Sequence, residues 1–193
     1  MGYFLGSIPF GYIVGKMRGI DIREHGSGNI GATNVFRTMG RKWGVLVFVL
    51  DALKGVLAVR LAMIFGEGWA VGGPELFGIL AGLACFLGHC FPVWLKFKGG
   101  KGIAPAAGIL IGLIWPAVLI CTGVFLLVFL TSRYVSLGSI VTAVALPIAT
   151  YFLQGGFTLT FWFTLLISAL AIWRHRGNIA RLWAGTEHRF SFK

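Results

Sequence analysis

Apolar runs near bilayer-crossing length alternate along this chain with short polar loops. The first run covers about 3–17, contains Pro9, and falls short of the ~20 residues a spanning helix needs. A basic loop, 18–42, follows with Arg18, Arg23, Arg37, Arg41 and Lys42. The second run, about 43–65, carries Asp51, Lys54 and Arg60, and the third is about 76–95. Between them, loop 66–75 holds Glu67 and Glu75 and no basic residue, whereas Lys96, Lys98 and Lys101 follow the third run. Ile103 to Leu130 is uncharged, too long for one span and too short for two, with Trp115 and Pro116 near its middle. Parity decides: a turn at Trp115–Pro116 puts every basic loop on one face, whereas a single crossing would split them. The pattern therefore predicts a short helix at 102–114 and another at 116–131, then helices at 135–153 and 157–173 and a polar, basic tail at 174–193. The expected fold is an all-α polytopic membrane protein of about seven transmembrane helices, N-terminus outside and C-terminus cytoplasmic. Arg60 alone is off the pattern and is expected to snorkel to the interface.

Composition narrows the class. The chain has 193 residues, 57% hydrophobic and 12% charged, with mean hydropathy +0.85, values that fit one membrane domain over 1–193 and not a soluble one. The net charge of +11 invites a nucleic-acid reading. That reading fails, because the basic residues sit in short loops between apolar runs, as the positive-inside rule requires. A basic membrane face attracts anionic lipids and anionic substrates. Cys85, Cys90 and Cys121 show no CxxC spacing, so neither a disulfide framework nor a zinc site is expected. No positively charged region precedes the first run, so a cleaved signal peptide is not expected. No fixed-period repeat or low-complexity tract is visible.

Four polar stretches are predicted to share one face. Lys98-Gly99-Gly100-Lys101-Gly102 is a basic, glycine-rich loop that opens the next helix. Such glycines let backbone N–H groups turn towards an anion, and the helix start adds a positive dipole end, so the loop suits a phosphate. It is not a Walker A loop, since Gly102 stands where Ser or Thr would bind Mg²⁺; a basic loop beside lipid headgroups is the plainer alternative. Gly26-Ser27-Gly28-Asn29-Ile30-Gly31-Ala32-Thr33-Asn34, followed by Arg37, offers hydroxyls, amides and backbone N–H groups for phosphate oxygens or glycerol hydroxyls, or merely a turn and a helix cap at Thr33 or Asn34. Arg133 could fork onto a phosphate, with Ser136 and Ser139 on one helical face; an interfacial arginine with two packing serines is the alternative. His175 and Asn178 share a face if the last helix continues, and His175 could accept a proton from a hydroxyl or only donate a hydrogen bond. His25 and His188 read as structural, His89 as a hydrogen-bonded core residue, and Asp51 with Lys54 as a structural pair favoured over a proton relay. No H-E-x-x-H, acidic cluster or G-x-S-x-G elbow is present, so neither a metal nor another cofactor is expected.

Taken together, Gly6-Ser7-Ile8-Pro9-Phe10-Gly11, Gly26-Ser27-Gly28-Asn29-Ile30-Gly31-Ala32-Thr33-Asn34-Val35, Asp51-Ala52-Leu53-Lys54-Gly55, Gly88-His89, Phe97-Lys98-Gly99-Gly100-Lys101-Gly102, Arg133-Tyr134-Val135-Ser136 and His175-Arg176 with Asn178 resemble the bacterial acyl-phosphate–glycerol-3-phosphate acyltransferase (PlsY) family. The match runs in order along nearly the whole chain. The resemblance implies a seven-helix enzyme of the bacterial inner membrane with its active site on the cytoplasmic face. It would move a fatty acyl group from acyl phosphate, not acyl-CoA, to the sn-1 hydroxyl of glycerol-3-phosphate. The products would be lysophosphatidic acid and inorganic phosphate, in phospholipid synthesis, downstream of a supplier of acyl phosphate. The H-x-x-x-x-D spacing of other glycerol-phosphate acyltransferases is missing, as none of the four histidines has an aspartate five residues on.

The resemblance carries catalytic roles onto Ser27, Lys101, His175 and Asn178. It carries substrate binding onto Asn29, Thr33, Asn34, Arg37, Lys98, Gly99, Gly100, Gly102, Arg133, Ser136 and Ser139, with the donor phosphate at the glycine-rich loops and the acyl tail among apolar helices beside membrane lipid. Acyl phosphate is already activated, so holding the phosphate and placing the hydroxyl could supply most of the rate. Either His175 or the donor's own phosphate is the base; lacking a clear His–carboxylate dyad, the sequence favours the phosphate. Two departures stand out: the first helix begins only a few residues before Gly6-Ser7, and Pro105 replaces the family's usual Thr, so position 105 receives no role. The main rival is a small transporter of an anionic metabolite, which broken helices and basic loops would also suit; a transporter needs polar groups leading to both faces. A non-catalytic scaffold ranks last.

Overall fold

The computed structural model describes residues 1–67 and 72–191; the middle of the acidic loop and Lys193 lie outside them. The chain divides into two compact units, Met1–Leu113 and Ile114–Lys193. The described secondary structure is helical.

The first unit opens with two helices where the sequence suggested one. α1 (Gly2–Ser7) and α2 (Phe10–Met17) part at Ile8–Pro9. Proline has no N–H to donate and pushes its predecessor out of the helical region, and Ile8 is accordingly extended at φ −62°, ψ 113°. α3 (Ala32–Met39) follows the first glycine-rich loop, and α4 (Arg41–Gly66) follows Gly40. α5 (Gly73–Cys90) leads through a 3₁₀ turn at Val93–Leu95 to the Gly-Lys loop and α6 (Ile103–Ser132). Tyr3 Oη donates to the Phe91 carbonyl over 2.8 Å, tying α1 to the end of α5.

α4 is 26 residues long, about 39 Å at 1.5 Å per residue, enough to cross a bilayer. Its polarity runs inside-out: Asp51 and Lys54 are each 2% exposed, while Val49 is 52% and Leu53 47% exposed. The mid-helix Asp51 and Lys54 face protein while neighbouring apolar side chains face outward, the arrangement that lipid favours and water does not. Among the described residues, Gly73–Leu95, Ile103–Ser132 and Val135–Gln154 are both long and apolar enough to span, and Leu159–Arg174 is a shorter apolar helix.

α6 leaves helical geometry at Ile114 (φ −150°, ψ 70°), two residues before Pro116. Pro116 cannot donate the bond a helix would need from it, and the break falls beside the turn expected at Trp115–Pro116. In the second unit, α6 continues to Ser132, followed by α7 (Val135–Gln154), α8 (Leu159–Arg174) and α9 (Arg176–Trp183). α7 buries Ser136, Gly138, Ser139, Ala143 and Ala149, and α8 buries Thr160, Thr164, Ser168 and Ala171. Small residues on buried helix faces let backbones approach closely, as membrane helix pairs do. The tail, expected to be polar and basic, contains α9, and its end folds back: Phe190 N–H donates to the Arg133 carbonyl over 2.8 Å.

Candidate active site

Two of the four polar stretches fall in each unit, and within each unit two come together. In the first unit the connection is an apolar cluster of Val14, Ile22, Ile30, Val35, Val47 and Leu95, with Tyr12, Ala32, Met39 and Trp43 packed against it. Ile22 and Ile30 bracket the first glycine-rich loop, and Leu95 introduces the second. Both loops therefore rest on one hydrophobic footing.

Asn34 shapes the first loop. It is 2% exposed, and its Nδ2 donates to the carbonyls of Ile22 (3.1 Å), His25 (3.0 Å) and Asn29 (2.9 Å). Its Oδ1 accepts the Ser27 N–H over 2.8 Å. Ser27 is thereby drawn in by its backbone while its residue stays exposed. Asn29 Oδ1 accepts the Gly31 N–H over 2.9 Å, an Asx turn that delivers the chain to α3. The N-cap of α3 is Gly31, without a side-chain cap, so neither Thr33 nor Asn34 takes that role. Thr33 lies in the first turn of α3 and Arg37 in its last, both half-buried. The loop's entrance is pinned by Asp21, whose carboxylate takes both a 2.9 Å and a 2.7 Å bond from Arg23 and lies 3.1 Å from Lys16. The Arg23 hydrogen bonds hold its carboxyl well below the usual carboxylate range. His25 Nδ1 lies 2.9 Å from the Asp21 carbonyl, in keeping with a structural role.

The second loop corrects one expectation. The Gly99 and Gly100 amides do not turn towards an open anion site; they donate to the Cys90 (3.2 Å) and His89 (3.0 Å) carbonyls. The last carbonyls of a helix have no partner within it, and the glycine amides supply one. A methyl group at Gly99 would strike the His89 carbonyl and Pro92, and one at Gly100 would strike the His89 ring. Lys98 is exposed, Lys101 half-buried and Gly102 buried. At the start of α6, Ile103 and Ala104 present first-turn amides, while Pro105 has none to offer. The anion-friendly elements here are thus two lysines and a helix start. Lys96 and Phe97 enter the loop with φ of 51° and 61°. That left-handed geometry costs non-glycine residues of order 1 kcal/mol each, and bonds from Lys96 N–H to Val93 O and Phe97 N–H to Pro92 O hold it.

Behind this loop, Lys54 Nζ lies 2.8 Å from Asp51 Oδ1 and 3.1 Å from His89 Nδ1, so the expected pair is a buried trio.

In the second unit the organising residue, Glu187 of the fourth polar stretch, is one to which the sequence assigned no role. The buried Glu187 accepts Ser136 Oγ and Asn178 Nδ2 at Oε1, each over 2.8 Å, and Arg181 Nε at Oε2 over 2.8 Å. Burial alone would raise its carboxyl, but the bonds from Asn178, Ser136 and Arg181 outweigh it and hold the group below its ordinary value. The available signal was a lone acid in a basic tail. Ser139 Oγ donates within its own helix to Val135 O over 2.9 Å. Arg133, at φ 62°, closes α6.

α8 does not run on through His175. That residue, at φ −91°, ψ 4°, both ends α8 and caps α9, and its carbonyl accepts the Asn178 and Ile179 amides over 2.8 and 2.9 Å. His175 and Asn178 are thus placed by a break between helices, both buried at 4% and 7% exposure. His175 Nδ1 lies 2.8 Å from the Ala171 carbonyl. A carbonyl only accepts, so Nδ1 donates to it and Nε2 is the other ring nitrogen.

A family model described as glycerol-3-phosphate acyltransferase matches residues 1–185. A glycerol-3-phosphate acyltransferase of Synechococcus sp. (strain CC9902) is 46% identical over 195 residues, covering 100% of this chain and 94% of that protein. One from Trichlorobacter lovleyi is 48% identical over 188 residues, covering 97% and 93%. The crystal structure of PlsY (YgiH), an integral membrane glycerol 3-phosphate acyltransferase, superposes in its glycerol 3-phosphate form with a TM-score of 0.89 at 43% identity, over 98% of this chain and 92% of that one. Its lysophosphatidic acid form gives 0.86. The chain belongs to the glycerol-3-phosphate acyltransferase family.

Proposed function

We propose that this protein transfers the acyl group of an acyl phosphate to the sn-1 hydroxyl of glycerol-3-phosphate, releasing lysophosphatidic acid and inorganic phosphate. The carrying observation is that the two basic glycine-rich loops rest on one apolar footing that includes Val47 of α4, a helix with its mid-span charges buried and apolar side chains exposed. That combination suits phosphate groups attached to a lipid-soluble tail. The PlsY structure of the same fold has been solved in glycerol 3-phosphate and lysophosphatidic acid forms.

Ser27, Lys98, Lys101 and the start of α6 hold the donor's phosphate, with Asn29 and Thr33 beside them and Asn34, Gly99, Gly100 and Gly102 setting the loop shapes. Arg37, Arg133, Ser136, Ser139 and Asn178 serve glycerol-3-phosphate. The sn-1 oxygen attacks the acyl carbonyl carbon, and the bond from that carbon to the phosphate oxygen breaks. The phosphate leaves with the electron pair, and the hydroxyl proton passes to it. The lysines offset the charge on the leaving group. His175 orients a reactant through Nε2, and the donor's phosphate is the base. The chain crosses the bacterial inner membrane seven times, with α1–α2 as one crossing and the two parts of α6 as separate ones. Its N-terminus is outside, and its active site faces the cytoplasm, where an enzyme that makes acyl phosphates supplies the donor.

The test is phosphate release. With the protein in a lipid phase, palmitoyl phosphate and glycerol-3-phosphate should give inorganic phosphate and lysophosphatidic acid in equal amounts, and palmitoyl-CoA should give no product. Turnover of the CoA ester, or phosphate release that ignores glycerol-3-phosphate, would overturn the reading.

A further inference from the structure

Lys54 sits where three elements of the first unit meet. An ammonium has three protons to donate and no acceptor, and three polar atoms surround this one. Asp51 Oδ1 is at 2.8 Å, the Ile8 carbonyl at 3.0 Å and His89 Nδ1 at 3.1 Å. The Phe10 ring adds a cation–π contact at 5.6 Å. His89 Nδ1 also lies 3.6 Å from Asp51 Oδ1, and the far nitrogen of the ring is Nε2. That nitrogen faces Gly100, against which the ring is packed too closely for any side chain. The His89 carbonyl accepts the Gly100 amide as well. One arm from Lys54 therefore reaches the Gly-Lys loop.

The other arm reaches the first loop. Ile8 is the extended residue before Pro9, so its carbonyl marks where α2 begins. α2 presents Gly11 to the Ile30 carbonyl, again with no room for a methyl group, and Val14 to the Ile30 side-chain cluster. Fixing Ile8 fixes α2, and α2 is the wall of the Gly26–Gly31 turn.

We propose that Lys54 is a positioning residue: with Asp51 as its counter-ion, it holds both glycine-rich loops in register, one through His89 and the other through Ile8 and α2. This rests on the reading of those loops as the phosphate-holding elements, and extends it to a residue that touches neither substrate. A buried pair kept only for stability would be replaceable by neutral groups of similar volume. A positioning pair would not be.

The experiment uses the full chain in detergent or lipid and the double variant Asp51→Asn/Lys54→Met, which leaves no buried charge uncompensated. Its melting temperature should stay close to the wild-type value. Hydrogen exchange should quicken at least tenfold at the Gly99 and Gly100 amides and at Ser27, Gly28 and Gly31, with α4 unchanged, and kcat/KM for acyl transfer should fall at least tenfold. His89→Gln should quicken exchange in residues 97–102 alone. Wild-type exchange in both loops of the double variant, quickening in only one of them, equal quickening throughout the unit, or wild-type kcat/KM would each overturn the proposal. Should the wild type itself release no phosphate from acyl phosphate, the functional reading fails, while the exchange pattern still decides whether Lys54 sets the loops.

Discussion

Ser136 Oγ donates to Glu187 Oε1 over 2.8 Å across 51 residues of sequence. The same oxygen accepts Asn178 Nδ2, so one carboxylate sets two groups assigned to the acyl-transfer chemistry. Glu187→Ala strands buried donors and should cost about 3 kcal/mol. A thermal melt of the purified protein reads this directly. An unchanged melting temperature would show that the carboxylate is dispensable.

The pH dependence of that stabilisation has a definite sign. The folded-state carboxyl of Glu187 lies below its ordinary value of 4.5. Its contribution is therefore complete above that value and is lost as pH falls through the lower folded one. The difference in melting temperature between wild type and Glu187→Gln should be widest above pH 4.5 and narrow on acidification. Taking the difference cancels other carboxylates, among them Asp21, which is also held low. A gap that widens in acid would contradict the assignment.

Asn34 joins four backbone groups of the first loop. Asn34→Ala leaves the Ser27 amide and three carbonyls without this partner, and should cost about 2 kcal/mol or more. Asn34→Asp should fare no better, since a carboxylate would then face three carbonyls. Limited proteolysis between residues 22 and 31 should show the loop opening in both variants, and resistance equal to wild type would refute its role as a strut.

His175→Ala separates the two candidate bases. A positioned general base contributes about 10²–10⁴ in rate. With the donor's phosphate as base, the variant should keep measurable turnover, lose less than about 100-fold in kcat, and keep the wild-type shape of its pH–rate profile. Complete loss of activity in a variant that still binds both substrates would make His175 the base.

Helical class and most helix limits were legible in the order of residues, because hydropathy is local and adds up along a run. The predicted helices at 43–65, 135–153 and 157–173 correspond to α4, α7 and α8 within a few residues. The break beside Pro116 was legible because proline acts on its own neighbours, and the two glycine-rich loops stood out as polar islands in an apolar chain. Tertiary structure alone decided where buried polar groups find partners. Lys54 and His89, 35 residues apart, and Ser136 and Glu187, 51 apart, meet because a desolvated donor must reach whichever acceptor packing brings to it. For the same reason the Gly99 and Gly100 amides close the end of α5, Asn34 turns inward, and the break at His175 sets two side chains that a continuous helix would have placed differently. Composition names the groups available for bonding, and the packed backbone assigns each one its partner.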